Sequence, residues 1–234
     1  MRKESKFAIF EYEEQDKNMI EDLIEWLNKS ALEVYDFFGV PFNNVKVEIK
    51  IFPNKQEYDQ DYLISRNLPS QYNVPDYMIG CFDNNKIKIV SYNDYKNIAR
   101  HKNDSFEYYK KTIVHEYVHF VNGLYRKIKN CSYTEKYLSE GIACYLSHQK
   151  ENKTVKFSCS LEDLLNYSSR ISYDNFYLLT KYLVENYDKN FVMDLFESNR
   201  QAREFLQSEL YGKVKEEYTC KINENEKNWF MFRY

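Results

Sequence analysis

Two of the four histidines in this chain, His115 and His119, stand four residues apart with Glu116 next to the first. Residues four apart lie on one face of an α-helix, so the two imidazoles can converge on a single cation while Glu116 flanks them. Two nitrogens under-fill a tetrahedral zinc ion. Hydrolytic zinc sites that add a carboxylate take one acid from the protein and keep the last position for water. Glu140, twenty-one residues after His119, is the candidate for that acid. The chemistry would be hydrolysis: His115, His119 and Glu140 as ligands of Zn²⁺, and Glu116 as the base that accepts a proton from the attacking water.

The alternative for the same residues is a solvated helix face with no metal. The flanks argue against it. Thr112, Ile113, Val114, Tyr117, Val118, Phe120 and Val121 are nearly all apolar or aromatic, so the helix is expected to be buried on most sides. Imidazoles and a carboxylate in such a helix need partners, because burying them unpaired is costly.

His115-Glu116-x-x-His119, followed by Tyr137-Leu138-Ser139-Glu140-Gly141-Ile142-Ala143-x-Tyr145, resembles the gluzincin metallopeptidases, the thermolysin-like group whose third zinc ligand is a glutamate on a later helix. Within that group the phrasing is most similar to the peptidase MA-like proteins, and it is also similar to the catalytic domain of the clostridial collagenases. With gaps, the resemblance covers about residues 45 to 198. It implies an α+β, thermolysin-like catalytic domain over 1–234, with an N-terminal mixed β-sheet lobe carrying the zinc helix (roughly 1–124) and a helical C-terminal lobe (125–234). It implies a zinc peptidase acting on a peptide or protein. It also implies that a strand over Lys86 to Val90 lies along the cleft edge and pairs with substrate, the alternative being an ordinary hairpin. Tyr173-Asp174-Asn175 with the following Leu178 to Leu183 resembles a zinc-aminopeptidase segment whose tyrosine assists the tetrahedral intermediate, which gives Tyr173 a catalytic role; packing by Tyr173 or Tyr177 is the alternative. Gly80-Cys81-Phe82-Asp83-Asn84 is similar to the amine-capturing segment of aminopeptidases, but Phe stands for Met and Asp for Glu, and a hairpin turn explains the same residues. An endopeptidase is therefore favoured over an aminopeptidase. A catalytically silent binding protein on the same scaffold is the remaining alternative, against which Glu116 is retained and a structural zinc would want a fourth protein ligand.

Composition narrows the field. At 234 residues and 43% hydrophobic content the chain can bury one sizeable core. A net charge of −3 with interspersed signs gives no basic footprint, so nucleic acid is not an expected partner. No apolar run reaches eighteen residues and no signal sequence opens the chain as written, so no membrane partner is expected and the cytoplasm is the default location. Five scattered cysteines without CxxC spacing fit a reducing compartment.

The elements that must hold these residues follow from periodicity. Residues 7 to 12 read as a strand, and from about Asp16 to Phe38 the apolar set Ile20, Leu23, Ile24, Leu27, Leu32, Val34, Tyr35 and Phe38 recurs at helical spacing until Gly39-Val40-Pro41. Val45, Val47, Ile49 and Ile51 alternate with charged residues as a half-buried strand does, and a short helix follows over Lys55 to Ser65. Residues 77–82 and 86–92 form a hairpin across Asp83-Asn84-Asn85, since Asn and Asp tolerate positive φ. The zinc helix spans Ser105 to Lys129, opened by a capping box of Asp104 and Glu107. Another box, Ser132 with Glu135, opens the helix carrying Glu140, and Ser160 with Asp163 opens a further one. Tyr173 to Tyr187 is helical with Phe176, Leu179, Tyr182, Leu183 and Val184 inward. Helices continue to about Tyr211, and the aromatics Trp229 to Phe232 are expected to dock on the body. Tyr145 and Asn122 are candidates to orient the histidines. Cys144, a turn beyond Glu140, can touch the same site or fill space. His101 and His148 read as surface or capping residues.

Overall fold

A five-stranded mixed sheet, in the order β1-β2-β3-β5-β4, organises the N-terminal half of the chain. The computed structural model describes residues 1–151, 153–168 and 171–219. Its strands are β1 (Arg2–Glu4), β2 (Ala8–Glu11), β3 (Val47–Phe52), β4 (Gly80–Asp83) and β5 (Lys86–Val90). β2, β3 and β5 run parallel, while β1 and β4 are antiparallel additions at the two ends. Parallel neighbours need crossovers. Helix α1 (Ile20–Phe38) links β2 to β3, and α2 (Lys55–Ser65) lies between β3 and the β4–β5 hairpin.

The sequence pattern explains most of this. Leu23, Leu27, Ala31, Val34 and Phe38 put one buried stripe on α1, which Gly39 ends at φ 61°, a left-handed conformation that glycine adopts without strain. The hairpin turn has Asn84 and Asn85 at φ 50° and 59°, as its residue types call for. β1 carries no hydrophobic signal, being Arg-Lys-Glu, and forms because the chain start folds back on β2 with Lys3 opposite Phe10.

The strand over Lys86 to Val90, expected at the cleft edge, lies inside the sheet. β5, residues Lys86–Val90, is bonded to β3 on one side and β4 on the other, so it has no free edge. Of the two hairpin strands the one paired on one side only is β4, and β1 ends the sheet on the other side. The hairpin turns back so that its first strand, and not its second, ends the sheet.

Helix α3 (Tyr92–Tyr95) is a short turn capped by Ser91, and α4 (Phe106–Lys129) is the long helix that carries both histidines. Its cap differs from expectation. Ser105 Oγ accepts from the Tyr108 amide at 3.2 Å, while the Asp104 carboxylate is engaged by the Tyr95 hydroxyl at 2.6 Å and the His101 ring at 2.9 Å. The sheet face bearing Gly80, Phe82, Ile87 and Ile89 meets α4: a Cβ on Gly80 would stand 3.6 Å from the Ile89 side chain and 3.7 Å from that of Thr112. On the opposite face, Lys88 reaches Asp61 of α2 at 2.7 Å.

The chain divides into two units, Met1–Leu124 and the residues from Tyr125 onward. The second unit is helical: α5 (Lys136–Leu146), α6 (Leu161–Leu165), α7 (Tyr173–Asn186), α8 (Lys189–Glu197) and α9 (Asn199–Phe205), then a π-helical turn, Leu206–Leu210, and helix over 211–219. Ser160 caps α6 as expected, accepting from the Asp163 amide. The expected Ser132–Glu135 box does not form: Glu135 precedes α5 without a side-chain cap bond, and its carboxylate instead accepts from the Tyr167 hydroxyl at 2.5 Å. On α7, Phe176, Leu179 and Leu183 are buried, whereas Tyr182 and Val184 are half-buried. The Trp229 to Phe232 segment and Cys220 lie outside the described residues. No helix among the described residues is long and apolar enough to cross a membrane.

Candidate metal centre

Helix α4 is buried almost all round: Tyr109, Ile113, Val114, Tyr117, Val118, Phe120, Val121 and Tyr125 all lie in the core. Hydrophobic contacts on several sides fix its rotation, as where Tyr35 of α1 meets Tyr117 at 6.4 Å between ring centroids and Phe82 of β4 meets Phe120 at 6.0 Å. Into this helix the chain places three ionisable groups. His115 and Glu116 are 6% and 9% exposed, and His119 is half-buried. Burial at that level demands compensation.

The Nε2 atoms of His115 and His119 stand 3.3 Å apart, with the rings at 78° to each other. Two nitrogens bound tetrahedrally to one zinc at about 2.0–2.1 Å are separated by roughly 3.3–3.4 Å. A direct ring-to-ring hydrogen bond would require one histidine to donate, and its preferred separation is shorter, about 2.9–3.0 Å. The spacing suits two lone pairs converging on a cation. One ligand atom from each of His115, His119 and Glu140 lies within 4.8 Å of the other two, and this is the one such group of three or more His, Cys, Asp or Glu among the described residues. Two imidazoles and one carboxylate form a donor set that suits zinc and leaves a coordination position for water.

On the sheet face away from α4, α2, β4 and β5 contribute residues that no motif announced, of which Tyr58 and Cys81 lie within electrostatic reach of Glu116. Tyr58 of α2 is fully buried, and its hydroxyl makes no hydrogen bond of ordinary geometry. Burial, together with the neighbouring Cys81 thiol and Glu116 carboxylate, pushes its pKa far up, so the phenol stays neutral. Cys81 is raised in turn, first by burial, so it too stays protonated at neutral pH. Lys88 pairs with Asp61 at 2.7 Å and Asp83 at 3.3 Å. Burial works against its charge, but the two carboxylates outweigh that and hold its pKa above the ordinary lysine value. These residues come from three elements between positions 58 and 88, which is why sequence spacing could not collect them.

The remaining expected site residues fall as follows. Tyr173 opens α7, is 45% exposed and meets Phe176 edge-on at 6.1 Å. Asn122 is buried on α4 with its Oδ1 lacking a hydrogen-bond partner, and Tyr145 stacks obliquely near Tyr177 at 6.4 Å. Cys144 is fully buried on α5, its thiol 3.9 Å from Gln149 Oε1. His101 stacks on Tyr95 near the start of α4, and His148 Nδ1 lies 3.6 Å from Glu151 on the surface. Gly80 to Asp83 form strand β4, followed by the turn at Asn84, as a hairpin requires. Cys81, Cys131, Cys144 and Cys159 form no disulfide among the described residues. Compared with family models, curated proteins and solved structures, the chain matches none.

Proposed function

We propose that this protein is a zinc-dependent peptidase of gluzincin type, built on a thermolysin-like catalytic domain. The observation that carries the reading is the donor set itself: imidazole nitrogens 3.3 Å apart and a Glu140 oxygen within 4.8 Å of both. His115, His119 and Glu140 would hold the ion. When bound, zinc supplies a water of depressed pKa and polarises the scissile carbonyl.

The other steps belong to the chain. Glu116, one residue after the first ligand, accepts a proton from the attacking water on a carboxylate oxygen and delivers it to the leaving amine nitrogen. Its near-complete burial keeps bulk water from competing for that proton. Tyr173 donates its hydroxyl to the oxygen that becomes negative as the carbonyl carbon turns tetrahedral. The substrate is a polypeptide bound in extended form, and the edge able to take it is β4. Ile79 and Val90 are bonded across the hairpin, Val90 N–H to Ile79 O at 2.8 Å, so with alternation Gly80 and Phe82 turn their backbone groups away from β5. An added strand finds its partners there.

The test is Glu116→Gln beside the wild type, with zinc content and peptide cleavage measured on the same samples. The variant keeps its zinc and loses turnover by at least about 10²-fold. Normal cleavage by Glu116→Gln, or a wild type that binds no zinc, rules the proposal out.

A further inference from the structure

We infer that Gly141 and Thr180 are positioning residues that set where Glu140 presents its carboxylate. The inference rests on Glu140 being the third ligand. Glycine in the middle of a helix costs about 1 kcal/mol relative to alanine, so local preference does not explain Gly141 at the centre of α5. Packing does. A Cβ at this position would stand 2.0 Å from Thr180 Oγ1 and 2.4 Å from the Phe176 carbonyl oxygen of α7. Ordinary contact begins near 3.4 Å, so any side chain would push the two helices apart by about 1 Å. The backbones of α5 and α7 touch at the residue next to Glu140.

Thr180 adds direction to that contact. A threonine inside a helix commonly turns its hydroxyl back to the carbonyl four residues earlier, here Phe176. Instead Thr180 Oγ1, fully buried, donates across to the Tyr137 carbonyl of α5 at 3.2 Å. Tyr137 begins the helical turn that ends at Gly141 and contains Glu140. The Tyr137 hydroxyl in turn donates to the Ala202 carbonyl at 2.9 Å, so one residue ties α5 to both α7 and α9. Steric contact at Gly141 fixes the depth of α5, and the hydroxyl bond fixes its rotation.

Rotation matters because the ligand sits at the end of a lever. A carboxylate roughly 5–6 Å from the helix axis moves about 1 Å for each 10° of turn. Metal–ligand distances tolerate about ±0.2 Å. A small loss of restraint at Thr180 is therefore a large error at Glu140.

The test compares Thr180→Val, which keeps the shape and removes the hydroxyl, with Thr180→Ser, which keeps the hydroxyl. Zinc affinity is measured by chelator competition, the Co²⁺ absorption spectrum reports ligand geometry, and circular dichroism at low temperature verifies folding. Leu195→Ala, destabilised elsewhere in the same unit, is the control. Thr180→Val loses about 10- to 100-fold in zinc affinity with an altered Co²⁺ spectrum, the magnitude typical of removing a group that orients a ligand. Thr180→Ser and the folded control stay within about threefold of the wild type, well inside that range. Wild-type affinity and spectrum in Thr180→Val overturn the inference, as does an equal loss in the control. A wild type whose zinc binding survives Glu140→Ala overturns the underlying ligand assignment instead, so the two failures are separable.

Discussion

Phe82 of β4 and Phe120 of α4 bring their rings to 6.0 Å, one helical turn beyond Glu116. With Gly80 beside Thr112, that contact runs β4 along the α4 residues 112, 116 and 120, which share a face. The β4 edge of the sheet and the proposed general base thus belong to one surface of the first unit.

If β4 takes the substrate, affinity depends on backbone amides of the substrate more than on its side chains. A good peptide substrate with a single N-methyl group at a position paired with Gly80 or Phe82 should bind about 3- to 10-fold more weakly, the worth of one net hydrogen bond. Steady-state KM across a series methylated at successive positions checks this. A flat series means the edge is not used.

Lys88 holds β4 to α2 through Asp83 and Asp61. Lys88→Met leaves both acids without their cation, and removing one member of a largely buried ion pair is costly. Since Asp61 and Asp83 keep some solvent access, the expected loss is about 1–3 kcal/mol, read from urea unfolding midpoints. A larger KM for peptides should accompany it, because the edge strand loses its anchor.

Asp16 gives a pH dependence whose sign can be worked out. Its carboxylate is fully buried, takes a hydrogen bond from the Ser91 hydroxyl on one oxygen, and has no partner on the other. Burial raises its pKa, opposed in part by Ser91. The folded protein therefore holds this proton more tightly than the unfolded chain does. The stability it contributes is fully present below the ordinary aspartate value of about 3.9, and is lost as pH rises through the raised folded value. Asp16→Asn should remove that loss, so its advantage over the wild type in urea midpoint should grow as pH rises through that window and be largest at pH 7. Identical pH profiles for the two proteins contradict this.

Tyr173→Phe should leave zinc binding untouched and lower kcat by about 10²-fold, the scale of losing one donor to a developing oxyanion. Unchanged kcat would return Tyr173 to a packing role against Phe176 at the start of α7.

Sequence alone determined what depends on neighbours along the chain. The spacing of His115, Glu116 and His119 put their side chains together because a helix repeats every 3.6 residues. Alternation over Val47 to Ile51, most of the stripe on α1, the Asn84-Asn85 turn and the Ser160 cap were equally local and appear in the fold, although Val45 precedes β3 and Leu32 of the expected stripe is exposed. Tertiary structure decided whatever depends on partners far apart in sequence. Which strand ends the sheet was settled by β5 inserting between β3 and β4, a pairing that no periodicity encodes. The caps of α4 and α5 went elsewhere because Asp104 found Tyr95 and His101, and Glu135 found Tyr167. The surroundings of Glu116 and the close approach at Gly141 likewise arise from helices and strands packing at van der Waals distance, where a single atom of added size is felt.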